Sequence, residues 1–168
     1  MSLPFADISI PPERTNPGAI LARFVDALGF RYRWATEGLR EADLDFTPGQ
    51  GCMTLRKLLE HVHGLAVFAD VGLGGTKPAD GAAPAGLEGL REATLRRLHG
   101  LRGRMAGLEA GDFAGFRVER KGETLPFWFL LNGPLADALT HVGQISAWRR
   151  LNGNPWPGAN VFMGKPPA

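Results

Sequence analysis

Four stretches of the chain repeat apolar side chains at helical spacing. Asn16-Pro17 reads as an N-cap followed by proline at the first helical position, and Ile20, Leu21, Phe24, Val25 and Leu28 then recur every three to four residues. Arg31 and Arg33 are available for the solvent side, and the spacing predicts a helix over 17–40. The breakers of Phe46–Gly51 form a loop, after which Thr54 can cap a second helix. Its stripe is Leu55, Leu58, Leu59, Val62, Leu65, Ala66 and Ala69. Gly72, Gly74, Gly75 and a Pro/Ala/Gly run to Gly86 end it in a long loop. A third helix carries Leu87, Leu90, Leu95, Leu98, Leu101, Met105 and Leu108, with Arg91, Arg96, Arg97, Arg102 and Arg104 on its other face. Gly89, Gly100 and Gly103 weaken it, each by up to about 1 kcal/mol relative to alanine.

The pattern then changes period. Phe116–Arg120, the turn Lys121-Gly122 and Glu123–Leu125 read as a short hairpin. Helical spacing returns from Pro134 to Leu151, where Asn152-Gly153 and Pro155 stop it. Residues 1–15 are Pro-rich and expected to be extended, and 154–168 form an irregular tail. Four long helices with one small extended insertion before the last predict an all-α fold, a four-helix bundle forming a single domain over 1–168.

Composition narrows the class more than it names a function. The chain of 168 residues is 44% hydrophobic and 21% charged, the balance of a globular domain able to bury its own core. The longest apolar run, Leu125–Leu131, falls far short of the ~20 residues of a membrane span. The N-terminus lacks the basic and apolar regions of a secretory signal. Cys52 is the only cysteine, which excludes an intrachain disulfide and fits a cytoplasmic location. A net charge of +2 gives no broad reason to expect nucleic acid, for which the arginine face of the third helix is the sole argument.

Histidine is scarce, four in all, and its placement is informative. Asp137 and His141 are four apart on the last helix, so they stack on one face. His141 also continues the row Ala138, Ile145, Trp148 that borders the apolar stripe. On the second helix, His61 and His63 lie about 200° apart and cannot both face one ion. His61 shares the apolar flank of Leu58 and Leu65, whereas His63 lies toward Arg56, Glu60 and Asp70. His99 sits among arginines and is expected to be exposed. The predicted constellation is therefore His61, Asp137 and His141, a donor set for a divalent first-row metal with open positions. The same spacings also serve plain side-chain pairs and satisfied core histidines, and spacing alone leaves both readings standing.

Thr140–Gly153, THVGQISAWRRLNG, resembles the His-x-Gly-Gln-Ile motif of the DinB-like superfamily, and Thr54–Leu65, TLRKLLEHVHGL, resembles that family's second helix. The insertion with Gly122 and LPFWFLL fits as well, so the resemblance covers nearly the whole chain in order. It implies a four-helix bundle holding a divalent metal, zinc, nickel, iron or manganese, with His61 and His141 at two ligand positions. The third position is commonly histidine in the family and is Asp137 here, a competent oxygen ligand that alters metal preference. Active members are transferases and isomerases using a low-molecular-weight thiol, which the metal deprotonates, so a small-molecule substrate and a homodimer are implied. The alternative is a non-enzymatic ligand-binding or interaction module on the same scaffold.

Gln144, one turn after His141, is placed to orient a ligand or a water, or to hold a loop. Trp148 continues the ligand face and can wall the pocket, although a large aromatic at helical spacing is more often core. Phe127, Trp128 and Phe129 are expected to pack the corner between hairpin and helix, and Trp156 to anchor the tail. The arginines of the third helix read as a solvated face, with contacts to the carboxylates of an anionic thiol as the alternative. Arg149 and Arg150 are accounted for by the helix dipole. Cys52, in a Gly-rich loop without an activating neighbour, is read as incidental.

Overall fold

A computed structural model describes residues 2–79 and 83–168. Part of the predicted loop between the second and third helices, residues 80–82, lies outside these. The chain is mostly helical, with one antiparallel hairpin before the last helix. The long helices are α1 (Pro17–Thr36), α2 (Leu55–Gly72), α3 (Leu87–Ala106) and α6 (Ala136–Leu151). Short α4 (Ala110–Gly115) precedes the hairpin β1 (Arg117–Arg120) and β2 (Glu123–Pro126), and α5 (Trp128–Leu130) follows it. Both α1 and α2 pack against α3 on one side and α6 on the other. Val25, Leu28, Leu58, Val62, Leu95, Leu98 and Ile145 meet in the core between them. Among the described residues, no helix is long and apolar enough to cross a membrane.

The helix starts follow the local signals. Asn16 Oδ1 accepts from the Ala19 amide at 2.9 Å, with Pro17 next, and Thr54 Oγ1 accepts from Lys57 at 3.3 Å. The hairpin pairs Arg117 with Pro126 and Arg120 with Glu123. Its turn needs positive φ at both central residues, and Lys121 (51°) and Gly122 (82°) provide it. The extended N-terminal segment is pinned by Phe5, whose ring occupies the space a side chain at Gly29 would need, 2.6 Å from its Cβ.

Two boundaries differ from expectation. Helix α1 ends at Thr36, not residue 40, because Glu37 turns to extended backbone and Gly38 takes φ 69°. A single 3₁₀ turn, Glu41–Asp43, follows. The last helical run starts at Trp128 rather than Pro134, and the proline lies within it. Proline has no amide proton and its ring clashes with the carbonyl four residues back. The run absorbs this by opening into a π turn over Leu131–Leu135.

The arginines also depart from the two readings given them, the helix dipole for Arg149 and a solvated face for those of the third helix. Arg149 is 1% exposed, and its guanidinium donates to Ala35 O (2.8 Å), Glu37 O (2.8 Å) and Asn154 O (2.6 Å). Two of these are carbonyls at the C-terminal end of α1, which has no intrahelical donors left for them. On α3, Arg91 is buried against Thr36 Oγ1 (3.0 Å) and Glu37, while Arg97 and Arg104 converge on buried Asp70 at 2.8 and 2.9 Å. The helix uses much of its positive charge internally.

Asp43 closes the same end of the molecule. Its carboxylate accepts from the Arg40 side chain (2.8 Å), Asn152 (2.9 Å) and Asn154 (2.7 Å). Hydrogen bonding to Arg40 is the largest cause holding this carboxyl down, to about 2. A carboxyl lowered on folding stabilises the native state above its unfolded pKa, and that stability is lost as pH falls toward the folded value. Unfolding free energies measured by chemical denaturation are therefore expected to fall by about 2 kcal/mol more between pH 4 and pH 2 in the wild type than in Asp43→Asn. Arg149→Met strands the carbonyls of Ala35 and Glu37 and is expected to cost about 3 kcal/mol in chemical denaturation.

Candidate metal centre

The base of α6 is tied to the start of α2 by Trp148, whose indole Nε1 donates to Met53 O at 2.9 Å. From that tie, eight residues lead up to His61 and seven lead back to His141. At about 1.5 Å per residue the two climbs are equal within a residue's rise. The two histidines consequently meet across the α2–α6 interface, with ring centroids 4.6 Å apart and planes at 87°.

Asp137 joins them from one turn away on α6. His61 Nε2 lies 3.1 Å from Asp137 Oδ2, and His141 Nε2 lies 3.2 Å from Asp137 Oδ1. One donor atom from each of the three residues falls within 4.8 Å of the others. An ion about 2.1 Å from each donor in tetrahedral geometry needs separations of roughly 3.4 Å, and each imidazole lies near that distance from one of the two Asp137 oxygens. The three residues singled out from sequence are thus brought together.

The protonation pattern tests the fit. His141 Nδ1 is 2.7 Å from Gln144 Oε1. An amide oxygen only accepts, so this partner assigns the proton to Nδ1 and leaves a lone pair on Nε2. That lone pair faces a carboxylate oxygen, an arrangement that a bound cation would satisfy. The donor set fits a divalent ion, with Gln144 fixing tautomer and ring orientation from behind.

A cavity of about 680 Å³ opens beside His61 and Asp137. It runs along α2 past Gly64 to Phe68 and along the last helical run past Gly133 to Phe129, with Arg120 of β1 at that end. Eight residues of uninterrupted α-helix would rotate Phe129 about 80° away from Asp137. The π turn uses less rotation per residue and returns Phe129 to the same side. Phe129 and Arg120 were not legible as site residues, since one depends on the π turn and the other on where the hairpin docks. Phe68 lies seven residues after His61 on one helix face, a spacing legible in the sequence.

Several expectations change here. Trp148 does not line the cavity; its indole is held by Met53 and packs on the core. Trp128 is 67% exposed, whereas Phe127 is buried against Phe113 and Phe116, so only part of the aromatic run packs the corner. None of the α3 arginines lines this cavity. His63, placed on the polar side from sequence, is buried with Nδ1 3.1 Å from Thr94 Oγ1. His99 is exposed as expected, against Phe5, Trp156 packs the tail on the core, and Cys52 is exposed. No family model matches the chain, and a search of curated proteins finds no match.

Burial, reinforced by nearby Arg97, pushes the His63 imidazole below its ordinary value of 6.5. A histidine lowered on folding takes up its proton more readily in the unfolded chain, so stability contributed by neutral His63 declines as pH falls through the unfolded value. Titration by NMR is expected to place His63 below the usual histidine range. A midpoint at or above 6.5 would contradict the buried, Thr94-bonded placement.

Proposed function

We propose that this chain is a metal-binding protein of the DinB-like kind, a four-helix bundle acting on a small molecule with a low-molecular-weight thiol as co-substrate. The reading rests on one observation above the rest: two imidazoles and a carboxylate from two helices converge on one point beside an open cavity. The resemblance of Thr54–Leu65 and Thr140–Gly153 to that family's motifs supports it, as does the cyclic packing of α1, α3, α2 and α6. In this reading the protein works in a reducing compartment where such thiols are abundant, as a homodimer.

His61 Nε2, a carboxylate oxygen of Asp137 and His141 Nε2 would hold the ion. A divalent metal in this position supplies Lewis acidity and favours the thiolate form of a bound thiol, the nucleophile such a transfer needs. The chain's own residues do the rest. Gln144 keeps the Nδ1 proton of His141 in place, so Nε2 remains available. The apolar surfaces of Leu65, Phe68 and Phe129 exclude water from one side of the site. Glu60 lines the cavity next to His61 and is the carboxylate placed to take a proton from an entering ligand. Asp137 in place of a third histidine adds a negative charge to the donor set and favours a harder ion than an all-imidazole site would.

Elemental analysis after purification without chelators tests the assignment. The wild type is expected to carry about one equivalent of a divalent metal and His141→Ala far less; equal contents would overturn it. Gln144→Leu is expected to keep the fold by circular dichroism and to lower metal affinity by about 10–100-fold in competition with a chromogenic chelator.

A further inference from the structure

The cavity extends well past the histidines, and its far end has a chemistry of its own. Arg120 rests its guanidinium over the rings of Phe129 (5.3 Å) and Phe68 (6.0 Å), which themselves meet edge to face at 5.8 Å. No carboxylate among the described residues pairs with it, and it is the one arginine or lysine lining the cavity. A guanidinium held against aromatic faces keeps its N–H fork free for a planar acceptor such as a carboxylate. Between the two ends the floor is bare. Gly64 lies in the middle of α2, where glycine weakens a helix, and a Cβ there would meet nothing within 4 Å. Packing does not demand this glycine, and it leaves the floor of the cavity open. From His61 to Phe68 is seven residues, a span of about 10 Å.

We propose that the trough is the binding site of an elongated organic carboxylate, with its acid group on Arg120 and its other end at His61, Asp137 and His141, two helical turns away. The proposal rests on the metal-site reading above for the identity of the proximal end, while Arg120, Phe68, Phe129 and Gly64 define the distal end independently. Arg120 and the length of the trough set specificity: a ligand lacking the acid, or too short to reach it, forfeits the charge-assisted contact.

Calorimetric titration of zinc-supplemented and zinc-free protein with 6-mercaptohexanoate, 6-mercaptohexanol and 3-mercaptopropionate tests this, with zinc content measured on the same samples. The wild type is expected to bind the long acid about tenfold more tightly than the alcohol. Arg120→Gln is expected to erase that ratio, and to leave the short acid unaffected because it does not reach. Gly64→Leu, which fills the floor, is expected to abolish binding of both long probes with zinc content and circular dichroism unchanged. Equal affinities for acid and alcohol in the wild type, an unchanged ratio in Arg120→Gln, undiminished binding by Gly64→Leu, or no binding of either long probe would each overturn the proposal. Failure to retain zinc would refute the metal reading alone, since the acid-to-alcohol ratio still reports on Arg120.

Discussion

The guanidinium of Arg149 is the fixed point from which the rest of the arrangement is measured. A buried cation is costly unless its donors are satisfied, and this one is satisfied by oxygens of three separate segments: the end of α1, the turn after it and the chain beyond α6. The interaction works in both directions. The cation is stabilised by carbonyls, and the carbonyls at a helix end acquire the donors that their own helix lacks. Asn154 shares in it through both its backbone and its side chain and also reaches Asp43, so one polar cluster closes α1, the 3₁₀ turn and α6 together.

With the base of α6 fixed to α1, the neighbouring Trp148 fixes it to α2. The side chains of two consecutive residues therefore set the height and direction of α6 against both partners. His141 and Asp137 sit two and three turns above that base, and His61 sits a matching climb up α2. The meeting of the three is consistent with this registration and is completed by the contacts of His61 with Asp137 and His141. Helix α3 supplies none of the donors. Its role is to bury Asp70 and Glu37 contacts through Arg97, Arg104 and Arg91, and so to hold α1 and α2 from the opposite side.

How much of this a sequence discloses follows from the range of each interaction. Asn16, Thr54 and Lys121-Gly122 act within three or four residues, and the elements they start or turn stand where they were expected. Asp137 and His141 are likewise local neighbours, and helix geometry separated His61 from His63, although the face reading put the wrong one of the two on the buried side. Arg149 is different, because its partner Ala35 lies 114 residues earlier. Apolar periodicity cannot distinguish an arginine bound for water from one bound for a distant carbonyl, and Arg91 was misplaced for the same reason. His63 had a hidden partner too, Thr94 on another helix. Pro134 misled in a further way: as a helix breaker it hid the continuity of 128–151, and with it the far wall of the cavity.

The π turn at Leu131–Leu135 separates two tasks along one rod of chain. C-terminal to it, α6 is locked by Trp148 and Arg149 and carries two donor residues whose spacing tolerates no change. N-terminal to it, Phe129 faces the cavity through an angle that the turn itself defines. A one-residue insertion or deletion in this turn would rotate the upstream wall by about 100° while leaving Asp137 and His141 where they are. The fold thus contains a joint at which the shape of the cavity can change while the His61, Asp137 and His141 cluster at its inner end keeps its geometry.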